Sequence, residues 1–300
     1  MTTDYGHDLL FGTFVTPTSH PAHQAVEQAV VADETGLDLV TFQDHPYVSR
    51  FHDTWTLMAY AAARTSRVRL AANVHNLPLR PPAVLARAAA SLDLLSGGRV
   101  ELGLGAGGFW DGIAAMGGPR RTPGESIEAL DEAIRIIRGI WDTDDRGVLS
   151  VRGKFYDVHG ARRGPAPAHP IGIWVGAYKP RILRLVGRTA DGWLPSLSYL
   201  EGGVGDLADM NRRIDEAAVQ AGRQPADVRR LLNIGGRFAA QRGGFLQGPP
   251  SQWAEELAEV ALTYGTSGFV LASDDTRTTQ TFAAEVAPAV REMVAEDRAA

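Results

Sequence analysis

Short apolar runs and longer stretches of helical period follow one another along this chain from end to end, and that alternation restricts the fold more than any single residue. Leu9 to Val15, Gly36 to Phe42, Val68 to Ala72, Ile171 to Val175, Gly192 to Leu194, Val228 to Phe238 and Gly268 to Leu271 read as strands. Arg99 to Gly108 is another, with Val100, Leu102 and Leu104 alternating before the run opens into glycines. Helical spacing fills the gaps over His23 to Thr35, Trp55 to Thr65, Pro81 to Ser96, Pro180 to Ala190, Leu207 to Ala221, Gln252 to Tyr264 and Thr278 to Val290. From Pro123, one face gathers Ile127, Leu130, Ile134, Ile137 and Trp141. Strands joined through helices run parallel, so about eight such units predict a (β/α)8 barrel, an α/β fold of the TIM type. An open doubly wound sheet is the alternative, because periodicity does not show whether the sheet closes.

No break in composition divides the chain, so residues 1–300 read as a single domain. Two stretches stand outside the alternation. Phe109 to Arg121 has no clear period and reads as a lid inserted after the fourth strand. Val148 to His159 alternates around Arg152-Gly153, and with the Pro/Gly/Arg-rich loop Arg162 to Pro170 it makes a small hairpin and loop insertion before the fifth strand.

Charge and residue usage narrow the function. A net charge of −5 with both signs interspersed leaves no basic face for nucleic acid, and no polybasic or 18-residue apolar run points to a membrane. With no cysteine, thiolate metal sites and a cysteine nucleophile are excluded. His7, His52 and Asp53 lack any metal-ligand spacing, so no metal is expected. Met1 to Asp8 has neither a basic nor an apolar leader pattern, and a cytoplasmic protein is expected.

In a barrel the chemistry gathers at the C-terminal strand ends, which here carry Phe14, Asp44-His45, Asn73 to Asn76, Gly105 to Gly108, Gly176 to Lys179 and Pro195-Ser196. Glycines without a Cβ let backbone amides come close to an anion, so the Gly105 to Gly108 run suits a phosphate; a tight strand exit is the plain alternative. Tyr178, Lys179 and Arg181 open the helix after the fifth strand, where they either reach an anion or form a solvated helix start. Arg80, Arg120-Arg121 and Arg162-Arg163 read as surface.

Taken in order, Gly36-Leu-Asp-Leu-Val-Thr-Phe-Gln-Asp-His45, the segment Leu79-Arg-Pro-Pro through Gly-Leu-Gly-Ala-Gly107, Ile173-Trp-Val-Gly-Ala177 and Gly187-Arg-Thr-Ala-Asp-Gly-Trp193 resemble the luciferase-like monooxygenase superfamily. These are barrel enzymes that use FMN or the deazaflavin coenzyme F420. The resemblance implies that Gly105, Ala106 and Gly107, with Gly176 and Ala177, cradle a cofactor phosphate, and that Phe14, Asp44, Asn73, Val74, Tyr178 and Lys179 lie along the cofactor. It also implies a non-proline cis peptide near Asn73-Val74.

Asp44-His45 leans toward F420, since many FMN members read Glu-His at this place. An aspartate beside a histidine can fix its tautomer, so His45, oriented by Asp44, is expected to move a proton. His75 is expected to face ring or substrate, and Trp110 and Asp111 to shape the substrate pocket. The chain departs from some F420 relatives at Gly108, where they carry a catalytic glutamate, and this speaks against a sugar-phosphate dehydrogenase. The expected function is hydride transfer between F420 and a small organic substrate. The alternatives are an FMN-dependent monooxygenase served by a separate flavin reductase, a flavin- or deazaflavin-binding carrier without turnover, and a metal-free hydrolase that lacks a recognisable nucleophile and base. A homodimer is implied by the resemblance.

Overall fold

The structure, a computed structural model, describes residues 4–300. Its centre is a closed parallel barrel of eight strands, Leu10–Val15, Leu39–Phe42, Arg69–Ala72, Val100–Gly105, Ile173–Val175, Gly192–Trp193, Arg229–Ile234 and Gly268–Ala272. Each strand pairs with the next in chain order, and the eighth returns to the first with Val270 opposite Gly12. The open sheet is thereby excluded. His75–Asn76 extends the third strand and pairs with Leu104 and Gly105.

The two-residue period of each strand sorts its side chains. Phe269 and Leu271 point out into the layer beneath the helices, while Val270 joins Leu39, Ala71, Trp174, Leu194 and Leu231 inside the barrel. Local chemistry sets the helix ends. A capping box of Thr122 and Glu125 starts the helix Pro123–Trp141, and Gly97, left-handed at φ 73°, stops Pro82–Ser96.

Four segments refine the reading from sequence. Within Phe109 to Arg121 lies a helix, Trp110–Ala115, too short to show a period. The seventh strand ends at Ile234 rather than Phe238, because Gly235-Gly236 interrupts it; Arg237–Phe238 pairs instead with Gln247–Gly248. The hairpin is present as Leu149–Arg152 against Asp157–Ala161. The last helical stretch runs beyond Val290 to Ala299, where buried Val294, one turn on, continues the apolar stripe. No helix among the described residues is long and apolar enough to cross a membrane.

Candidate active site

At the C-terminal mouth the apolar interior gives way to a polar belt. Asn73 donates from Nδ2 to Asn233 Oδ1 at 2.6 Å, and Asn233 Nδ2 donates to Ser196 Oγ at 3.0 Å. Thr41 Oγ1 accepts weakly from Asn73 and donates to the Thr13 carbonyl. Asn233 and Thr41 went unnoticed in the sequence; the available signal was a polar residue at an inward register position of an otherwise apolar strand.

The Asn73-Val74 peptide is cis, as the resemblance implied. Val74 then packs beside Phe14 on the interior cluster. A Cβ on Gly105 would lie 2.7 Å from a Val74 methyl, and one on Gly103 2.1 Å from the Ala72 carbonyl oxygen. These glycines therefore make room for the Asn73–Asn76 segment.

Beyond Gly105 the chain exposes its backbone. The amides of Ala106, Gly107 and Gly108 donate to no acceptor among the described residues. Gly107 has φ 102°, and a Cβ there would stand 2.8 Å from both Pro78 and Trp110. Leu104 pairs with Val175, so Gly176 and Ala177 emerge alongside. They lead into the helix Pro180–Thr189, whose first turn has no side-chain cap and keeps its amides free. Adjacent free amides and a helix N-terminus are what a phosphate requires, so this chain fits the anionic end of such a cofactor. Lys179 is exposed at the rim, while the half-buried Tyr178 turns its hydroxyl to accept from the Ser196 amide at 2.9 Å.

Asp44 and His45 part company at the end of the second strand. The Asp44 carboxylate is buried and faces away from the mouth. It accepts from Arg80 Nε and Nη2 at 2.6 Å each and from the Asn76 amide at 2.9 Å, and His75 Nδ1 lies 3.3 Å away. Burial alone would raise this carboxyl, but the hydrogen bonds from Arg80 and His75 hold it well below the usual carboxylate range.

His45 instead turns toward the mouth and stacks on Tyr47 at 5.3 Å between ring centroids, with Phe109 at 5.2 Å. The expectation that Asp44 orients His45 is corrected, because the Asp44 carboxylate is taken up by Arg80, Asn76 and His75 while the His45 ring packs on Tyr47 and Phe109. Partial burial lowers the His45 pKa against the pull of the Asp44 charge, which favours the neutral imidazole.

Three further expectations need correction. His75 does not face the mouth: it is 0% exposed, stacked on Trp55 at 4.6 Å, with Nε2 buried and unpartnered. Trp110 packs under Gly107 and so shapes the glycine loop, and Asp111 pairs with Arg120 in solvent. Arg80, read as surface, is the central cation behind the site; a lone arginine between Leu79 and two prolines has no pattern that reveals its partner. Among the described residues no cluster of His, Asp and Glu could hold a metal ion.

Residues 5–240 match the family described as luciferase-like monooxygenase. An F420-dependent glucose-6-phosphate dehydrogenase of Amycolatopsis mediterranei is 35% identical over 175 residues, 56% of this chain and 52% of the relative. The chain thus spans about half the length of that relative. An uncharacterised protein of Mycobacterium tuberculosis is 32% identical over 225 residues, 71% of this chain and 73% of the relative. Among solved structures, an F420-dependent secondary alcohol dehydrogenase in complex with an F420-acetone adduct superposes with a TM-score of 0.80 at 18% identity, covering 95% of this chain and 99% of that one. The oxygenating constituent of a Pseudomonas putida 3,6-diketocamphane monooxygenase, in complex with FMN, reaches 0.76 at 19%, covering 94% and 99%. At these identities the two structures show the shared fold alone.

Proposed function

Because this chain belongs to the luciferase-like monooxygenase family, we propose that it is an F420-dependent oxidoreductase that moves hydride between the deazaflavin and a small organic substrate, an alcohol and its carbonyl being the simplest pair. The observation that carries this reading is the imidazole of His45, stacked on Tyr47 and without a hydrogen-bond partner among the described residues, at the same mouth as the free amides of Ala106 to Gly108. When bound, the deazaflavin supplies the carbon that accepts or returns the hydride.

The chain supplies everything else. The amides of Ala106 to Gly108, with Gly176, Ala177 and the helix start after Lys179, hold the phosphate. Phe14 and Val74 offer an apolar surface beside the polar belt of Asn73, Ser196 and Asn233. His45 takes the hydroxyl proton as the alcohol carbon loses hydride, and gives it back in the reverse direction. Phe109, 60% exposed over the His45 and Tyr47 rings, keeps water from that proton. Gly108 leaves no second acid beside the cradle, which favours a substrate other than a sugar phosphate. Exposed Tyr60, Val84, Leu94 and Leu95 on the neighbouring helices Thr54–Arg64 and Pro82–Ser96 support a homodimer.

Titration of the purified protein with F420 and with FMN tests the reading. Micromolar binding of F420 and markedly weaker binding of FMN is expected. The reverse order overturns it in favour of an FMN monooxygenase that depends on a separate reductase.

A further inference from the structure

Behind the mouth, one guanidinium ties three parts of the chain together. Arg80 reaches Asp44 at 2.6 Å and Asp53 at 3.0 Å, and its side chain is only 16% exposed. Asp53 begins the helix Thr54–Arg64 by accepting from the Thr56 amide. Asp44 lies two residues beyond the second strand, binds the Asn76 amide and lies beside His75, whose ring rests on Trp55 of that same helix.

We propose that Arg80 is a positioning residue for the cofactor surface: acting through Asp44, it locks the Asn73–Asn76 segment, and with it Val74 and the Asn73 amide, without touching cofactor or substrate. The ligand in this inference rests on the function proposed above; the geometry does not.

The physical case is a matter of what remains if the guanidinium is removed. Asp44, 1% exposed, would keep only the Asn76 amide and His75 as donors. A buried carboxylate stripped of its counter-ion favours a positive charge beside it, and the neighbour able to take one up is His75. The ionisable groups facing His75 are Asp44, Arg80 and Asp53, with the Trp55 ring on its face. Without Arg80 only the carboxylates are left, so His75 must titrate at a higher pH. Loosened packing alone would raise it only toward the free value of about 6.5, so a titration above that value marks the lost cation.

The experiment uses the full chain. His75 is followed by imidazole nitrogen spectra, assigned with His75→Gln, in the wild type, Arg80→Met and Arg80→Lys, and F420 is then titrated into each. Arg80→Met is expected to raise the His75 titration and to weaken F420 binding about tenfold or more. Arg80→Lys keeps the charge but loses the two-pronged contact, so it leaves the His75 titration near the wild type and weakens binding less. Unchanged titration together with wild-type affinity in Arg80→Met overturns the inference. If Arg80→Met does not fold, wild-type affinity in Arg80→Lys overturns it. If the wild type binds no F420, the proposed function fails, and the His75 titration in the ligand-free protein still decides the role of Arg80.

Discussion

Two histidines in this barrel meet a buried aspartate, one near each end, and their pKa values move in opposite directions. At the mouth end, His75 lies against Asp44; full burial lowers its pKa, the Asp44 contact opposes that, and the Arg80 cation adds to the lowering. At the other end, His169 Nδ1 is 2.9 Å from Asp93 Oδ1, and Glu101 stands 3.7 Å from Nε2, a charge contact rather than a hydrogen bond. Those carboxylates, Glu101 foremost, raise the His169 pKa despite partial burial. A neighbouring carboxylate therefore does not by itself charge a histidine; what matters is which other partners that carboxylate already has. Asp44 is engaged by Arg80, whereas Asp93 otherwise holds only the amides of Val100, Ala168 and His169.

The largest effect that could break this comparison comes from the aspartates. Asp44→Asn leaves the mostly buried Arg80 guanidinium with Asp53 as its one counter-ion among the described residues and is expected to cost about 3–5 kcal/mol in urea unfolding. Asp93→Asn strands no buried cation and is expected to cost about 1–3 kcal/mol. Equal losses would mean that Arg80 does not distinguish the two ends.

A smaller effect lies in the pH dependence, and its sign differs between the pairs. The folded pKa of His169 is raised, so its contribution is complete below the unfolded value of about 6.5 and is lost as pH rises through the folded value. The folded pKa of His75 is lowered, so its contribution is complete above about 6.5 and is lost as pH falls through that value toward the folded one. His169→Gln should therefore destabilise by about 1 kcal/mol more at pH ~5.5 than at pH ~8.5, and His75→Gln should show the opposite trend. Parallel trends would erase the contrast.

The smallest effect is expected at His45, whose ring has no hydrogen-bond partner among the described residues. His45→Ala should change unfolding stability by no more than about 0.5 kcal/mol, read from the same denaturant curves. A larger loss would place His45 among the structural pairs.

The contrast also marks how far the sequence could be read. Strand order, the glycine exit after Leu104 and the glycine stop at Gly97 follow from local chemistry and were legible. The partners of Asp44 were not, because Asn76 and Arg80 lie more than 30 positions away, beyond the reach of any local pattern. Asn73 and Asn233 meet across 160 positions that no local pattern links. Arg80 looked like surface because its partners lie in the loop after another strand and at a helix start, and only the pairing of the second and third strands brings them together.

The central claim is that Asp44 serves the fold while His45 serves the chemistry. The direct measurement is F420 affinity and turnover of His45→Ala beside the wild type, with whichever small alcohol in a panel the wild type oxidises. F420 affinity within about threefold of the wild type and turnover reduced by about 10²- to 10⁴-fold is the predicted result. Wild-type turnover in His45→Ala, or a loss of turnover fully explained by lost F420 binding, would contradict it.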